Sequence, residues 1–174
     1  MTLYSLDNLP NELLAEHKNV TLLIDIMINK IPFMMTMSRA IHFGTAEMIK
    51  NDTKATIIKS LQQIINTYHG HGFKFKHILG AQQFECIRSH MERQGINLNI
   101  TGRDEHVPKI ERFIRTVKER ARVIVNTLPF EILTHRLIVE IVYNVMFWLN
   151  CFQQRWNTCN TQSMYNSHYI KYKL

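Results

Sequence analysis

The chain has 174 residues, the size of one domain with an ordinary hydrophobic core. Its 21 Lys and Arg residues exceed its 14 Asp and Glu residues, and the formal charge of +7 favours an anionic partner, nucleic acid first. Three cysteines without C-x-x-C or even pairing, and no signal-like apolar run, predict an intracellular protein that is not secreted. The most apolar segment, residues 137–149, is too short to span a membrane.

Three strands are predicted first along the chain. Residues 20–28, VTLLIDIMI, are β-branched and apolar enough for a central strand buried on both faces, and Asp25 is its one charge. Residues 31–37 and 39–43 are predicted as two further strands of an antiparallel meander, which ends at Gly44.

Helices and strands alternate in the rest of the chain. Apolar residues recur at helical spacing from Ile57 to Tyr68, and Asp52 or Thr53 can cap this helix. The later predicted elements are a strand at 73–79, a short helix around 84–91, a strand at 96–100, a helix from Pro108 and a helix at about 130–150. This order predicts a mixed α/β layer fold.

The helix from Pro108 has one apolar arc and a basic flank. Along that flank lie four charged residues at positions i, i+4, i+7 and i+11: Glu111, Arg115, Lys118 and Arg122. One interpretation is a weak i,i+4 ion pair of Glu111 with Arg115, the other cations being solvated. The alternative is that Glu111 meets a carboxylate from elsewhere in the chain.

Asp25 is the candidate for that second carboxylate. A carboxylate inside an apolar strand is costly unless it has a partner. The partner can be a Lys or Arg, which makes Asp25 structural, or the site can be shared with Glu111.

Several separate blocks of sequence resemble the catalytic core of a long-terminal-repeat retrotransposon integrase. The blocks are IPFMMTMSRAIHFGTAEMI, QFECIR, DEHVPKIERFIRTVKER, NTLPFE and LIVEIVYNVMFWLN, and the similarity runs from about residue 20 to 150. The resemblance implies a ribonuclease-H-like fold, in which a mixed five-stranded sheet has helices on both faces. It also implies DNA integration by metal-dependent phosphodiester cleavage and strand transfer.

The resemblance further implies a site of Asp, Asp and Glu that holds two divalent metals, Mg²⁺ or Mn²⁺, which clamp the attacking and leaving oxygens. The first Asp falls on Asp25 and the Glu on Glu111, which are the expected catalytic and metal-binding residues. The second Asp falls on Ala81, 56 residues after Asp25 and 30 before Glu111. Since a methyl group cannot ligate a metal, weak metal binding and impaired catalysis are expected.

Other residues are possible substitutes for the missing carboxylate. Gln82, Gln83 and Glu85 follow Ala81 closely, although the amides are neutral and Glu85 is four residues away. Asp104 and Glu105 precede the helix and are a further alternative.

DNA is the partner that the resemblance implies, and Arg115, Lys118 and Arg122 are the residues expected to contact its phosphates. A homo-oligomer follows by analogy, no membrane partner is expected, and the nucleus is where such chemistry would be useful. The expected domains are a leader at 1–19, the core at 20–152 and a poorly ordered tail at 153–174. Without the family's flanking modules, the chain is expected to be a truncated or decayed copy.

Two other functions stay open. The chain can be a nucleic-acid-binding or assembly module that kept the fold without the catalysis, or a transposon remnant without a selected function.

Overall fold

The computed structural model describes residues 15–27, 31–101 and 108–152. The strands of this part are β1 (Asn19–Met27), β2 (Phe33–Ser38), β3 (Gly44–Met48), β4 (Lys74–Gly80) and β5 (Asn97–Ile100). The helices are α1 (Lys54–Gly70), α2 (Arg88–Arg93), α3 (Pro108–Thr127) and α4 (His135–Cys151), and a 3₁₀ helix at Gln82–Ile87 leads into α2.

The strands form one mixed sheet in the order β3-β2-β1-β4-β5. β2 is antiparallel to both β1 and β3, whereas β4 is parallel to both β1 and β5. The predicted mixed five-stranded sheet is confirmed, and the strand that contains Asp25 is the central one, as predicted.

Helices cover both faces of this sheet, as predicted. Since successive side chains of a strand point to opposite faces, Leu22 and Ile24 pack in one apolar cluster with residues of α1. Leu23 and Met27 pack in a second cluster with residues of α3 and α4. The central strand therefore supplies both cores. Among the described residues, no helix is both long and apolar enough to cross a membrane.

The predicted third strand at 39–43 is wrong, because these residues form the turn that leads into β3. The Phe43 N–H donates to Ser38 Oγ at 3.0 Å, and His42 adopts a positive φ of 55°. A left-handed residue interrupts the extended backbone of a strand. The strand begins at Gly44, the residue that was expected to end it.

The predicted start of the last helix near 130 is also wrong, because Thr134 is its N-cap. The Thr134 side chain accepts a hydrogen bond from the Leu137 N–H, a typical way to begin a helix. Phe130 and Ile132 are 58% and 89% exposed in the connection before it. Residues 1–14 of the expected leader and the whole expected tail lie outside the described residues.

Candidate functional site

Asp25 lies near the carboxyl end of β1, on the face that α3 and α4 cover. Its neighbours on that face, Leu23 and Met27, belong to the cluster beneath these helices. The Asp25 side chain is only half-buried. Its Oδ1 accepts hydrogen bonds from the Ile26 N–H at 2.8 Å and from the Gln83 side-chain amide at 3.2 Å.

Ala81 lies beside Asp25 because of the register between β1 and β4. Ile24 is paired with Gly80 in this parallel ladder. Asp25 follows Ile24 and Ala81 follows Gly80, so the two residues are neighbours across the strands. Neighbouring strands are about 4.8 Å apart. The backbone of Ala81 is still extended, with φ −72° and ψ 167°, and the 3₁₀ helix begins at the following residue.

Glu111 lies in the first turn of α3 and is half-buried. Three other residues of the helix, Ile110, Ile114 and Val117, pack in the cluster that contains Leu23. The structure therefore places Glu111 on the helix that covers the Asp25 face of the sheet.

The basic flank follows Glu111 along α3. Arg115 and Arg122 are exposed, and Lys118 is half-buried. None of the three forms an ion pair with another residue of the described ranges. Arg115 and Arg122 are therefore accessible from solvent.

Comparison with known proteins gives a structural match only. No protein-family profile matches the chain, and no curated protein sequence matches it. Among solved structures, the chain is similar to the catalytic core domain of BIV integrase, with a TM-score of 0.59 and 15% sequence identity. The match covers 88% of this chain and 98% of the integrase core. The chain has a ribonuclease-H-like integrase-core fold.

The residues considered as substitutes for a carboxylate at position 81 have different surroundings in this fold. Gln82 is exposed, and Gln83 is directed at Asp25 as a hydrogen-bond donor. Glu85 is bound by the guanidinium of Arg88, with Arg88 Nη2 donating to Glu85 Oε2 at 2.7 Å. Asp104 and Glu105 lie outside the described residues.

The ion pair of Glu85 is part of a short chain of polar contacts. Hydrogen bonding to Arg88 is the main cause that lowers the pKa of Glu85 below its ordinary value. The same guanidinium donates to the Leu98 carbonyl of β5 at 2.8 Å. Glu85 therefore holds Arg88 against the edge of the sheet, which is a structural role.

The donor set does not fit the two-metal site that the sequence resemblance implies. Asp25 and Glu111 each carry one carboxylate, and the Ala81 methyl group carries no ligand. Across residues 15–27, 31–101 and 108–152, no group of three or more His, Cys, Asp or Glu side chains is arranged to hold a metal ion. A divalent metal prefers several oxygen ligands.

The contact between Gln83 and Asp25 was not predicted from the sequence. Gln83 was considered only as a replacement metal ligand, and 58 residues separate it from Asp25. The one available signal was its place two residues after Ala81, at the end of a strand that neighbours β1. Whether the Gln83 side chain reaches Asp25 depends on the 3₁₀ turn, which no sequence pattern specifies.

Proposed function

We propose that the chain is an integrase-like DNA-binding core, related to long-terminal-repeat retrotransposon integrases, whose metal-dependent chemistry is impaired. The register of β1 and β4 carries this proposal, because it brings Ala81 beside Asp25 where a second carboxylate would be required. The fold and the sequence blocks support a polynucleotidyl transferase ancestry. Asp25 and Glu111 are the two residues that keep the family's site chemistry.

The proposed impairment follows from charge. Two carboxylates supply two formal negative charges against the four positive charges of two divalent ions. Mg²⁺ or Mn²⁺ would therefore bind weakly, with Asp25 and Glu111 as the only proposed protein ligands.

The proposed DNA contact follows from the basic flank. Cations that face outward release counterions from the phosphate backbone when they bind it, which gives affinity without reading sequence. The formal charge of +7 acts in the same direction. Arg115, Lys118 and Arg122 are the residues that we assign to this contact.

A restored carboxylate tests the proposed impairment. The purified protein should show no nicking or strand transfer on duplex DNA with Mg²⁺ or Mn²⁺, whereas Ala81→Asp should show measurable activity. Ala81→Asn is the matched control, because it has nearly the same shape without the charge. Wild-type activity that is lost in Asp25→Ala, or equal activity in the Asp and Asn variants, would contradict the proposal.

A change of the flank tests the proposed DNA binding. Replacing Arg115, Lys118 and Arg122 together by Ala should lower the slope of log affinity against log salt by about three, about one for each cation. The control replaces three exposed lysines elsewhere, Lys54, Lys59 and Lys76, which removes the same charge. An equal loss in both triple variants would show that only net charge matters.

A non-catalytic nucleic-acid-binding or assembly module is the second candidate. It is favoured by the combination of a missing carboxylate with cations that lack an ion-pair partner within the described ranges. It predicts that the flank variant loses DNA affinity while Ala81→Asp stays inactive. Homo-oligomerisation, which either function would use, is tested by sedimentation of the protein with and without DNA.

A further inference from the structure

The Gln83 side chain occupies the neighbourhood in which a cation would approach Asp25. Gln83 Nε2 donates to Asp25 Oδ1 at 3.2 Å, and the same oxygen accepts the Ile26 N–H at 2.8 Å. A carboxylate oxygen that binds a metal must turn its lone pairs towards the metal. The amide of Gln83 therefore competes with a metal for the same oxygen.

The 3₁₀ helix holds Gln83 in this place from both ends. At its start, the Phe84 N–H donates to the Ala81 carbonyl at 3.0 Å, which forms the turn that contains Gln83. Phe84 and Ile87 are fully buried beneath this turn. At its end, Arg88 ties the helix to Leu98 of β5. The position of the Gln83 backbone is thus set by packing that does not depend on Asp25.

The negative charge of Asp25 makes this contact favourable when no metal is bound. A hydrogen bond to an ionised oxygen is stronger than one between neutral groups. In a site with two metals, the amide hydrogens of Gln83 would face positive charge, which repels them. In this chain they face a carboxylate beside a methyl group.

We infer that Gln83 is a built-in substitute for a cation at Asp25, so that a divalent metal binds this carboxylate only after displacing the Gln83 amide. This inference rests on the proposed function, because it concerns the site that the proposal assigns. Ala81 and the Gln83 amide are then two separate features that weaken metal binding. Restoring the carboxylate alone therefore restores metal binding only in part.

The alternative is that Gln83 helps to bind a metal, and the same experiment tests it. Rotation of the amide by half a turn would present its carbonyl oxygen as a metal ligand. Removal of Gln83 would then weaken metal binding, whereas removal of a competing donor strengthens it. The sign of the change distinguishes the two roles.

The experiment measures Mn²⁺ binding by electron paramagnetic resonance of the free ion, with the full chain in the Ala81→Asp background. Adding Gln83→Ala should lower the dissociation constant for Mn²⁺ by roughly three- to tenfold, because the metal no longer has to displace one hydrogen bond to a partly exposed charge. Gln82→Ala in the same background is the matched control and should leave the constant unchanged. Its exposed side chain lies in the same turn.

Thermal unfolding gives a second reading that does not depend on activity. At one fixed Mn²⁺ concentration, the melting temperature should rise most in the variant that carries both Ala81→Asp and Gln83→Ala, because the stabilisation increases with the logarithm of ligand concentration over dissociation constant. The wild-type protein, in which binding is expected to be weakest, should show the smallest rise.

Three results would overturn the inference. The dissociation constant for Mn²⁺ could be unchanged by Gln83→Ala, it could be raised by Gln83→Ala, or Gln82→Ala could lower it equally. Failure of the proposed function is seen separately, as DNA binding that does not respond to the change of the α3 flank. The flank experiment uses neither the Ala81→Asp background nor the Mn²⁺ readout.

Discussion

The two faces of the sheet differ in the size of their apolar clusters. The larger cluster lies beneath α1, where Tyr68 packs edge-on against Phe43, Phe73 and Phe75 and its hydroxyl donates to the Phe43 carbonyl at 3.2 Å. The smaller cluster lies beneath α3 and α4, where the Asn150 side chain joins α4 to Gly44 of β3. The larger apolar core and the candidate site are therefore on opposite faces of the sheet.

Truncation of a core residue on the α1 face should have the largest effect on stability. Leu61 is fully buried, and Leu61→Ala should lower the free energy of unfolding by about 3 kcal/mol through lost burial and the cavity left behind. Urea unfolding monitored by circular dichroism measures it. Gln63→Ala, at an exposed position of the same helix, should change stability by less than about 0.5 kcal/mol.

Removal of the amide of Asn150 should have the largest effect among polar contacts of the other face. Its Oδ1 accepts from the Gly44 N–H at 2.9 Å, and its Nδ2 donates to the Gly44 carbonyl at 2.8 Å. Because both backbone groups would lose a buried partner, Asn150→Ala should cost about 2 to 3 kcal/mol in urea unfolding. Asn144→Ala is the same substitution at an exposed position of α4. Equal effects would show that the contact with Gly44 contributes nothing.

A methyl group at Gly44 should have a somewhat smaller effect. A Cβ at this position would overlap the ring of Phe113, so Gly44→Ala should cost about 2 kcal/mol through overpacking. Gly70→Ala is the control, since a Cβ there would meet no atom within 4 Å beyond its chain neighbours and the backbone of its own helix. Shortening the ring with Phe113→Leu should relieve part of the cost. If a double-mutant cycle of Gly44→Ala and Phe113→Leu showed no coupling, the overlap with Phe113 would not be the cause of the lost stability.

The mistaken third strand shows which part of the fold the sequence could predict. Apolar periodicity was sufficient for the central strand and for α1, because burial alone decides them. The segment at 39–43 has strand-like Ile41 and Phe43, yet its backbone is bent by the bonds of Ser38 and by the conformation of His42. Gly44 was interpreted as a strand end, but it begins β3. It is a glycine because a side chain there would collide with Phe113, which lies on a helix far along the chain.

The candidate site was predictable to a similar extent. The family resemblance supplied the positions of Asp25, Ala81 and Glu111, and the observed register brings the first two side by side. The bond from Gln83 to Asp25 and the ion pair of Glu85 with Arg88 depend on how the 3₁₀ helix turns after β4. No periodic pattern encodes that turn, which is only six residues long.

The smallest expected effect concerns pH and the turn at the edge of the α3 face. Burial, and then the nearby charge of Lys109, lowers the pKa of His42 from its ordinary value of 6.5. Lys109 Nζ lies 3.5 Å from His42 Nε2 and also donates to the Arg39 carbonyl at 2.8 Å. Protonation of His42 is therefore less favourable in the folded chain than in the unfolded chain.

The sign of the pH effect follows from proton binding. Between the lowered pKa and 6.5, the unfolded chain binds more protons at this residue, so stability rises with pH across that window. His42 thus destabilises the fold as the pH falls below 6.5. His42→Asn keeps a residue that tolerates positive φ and cannot be protonated. Its unfolding free energy, measured at pH 8 and pH 5, should decrease less than that of the wild type. An equal decrease would mean that other groups cause the acid sensitivity and that the turn at 39–43 does not sense pH.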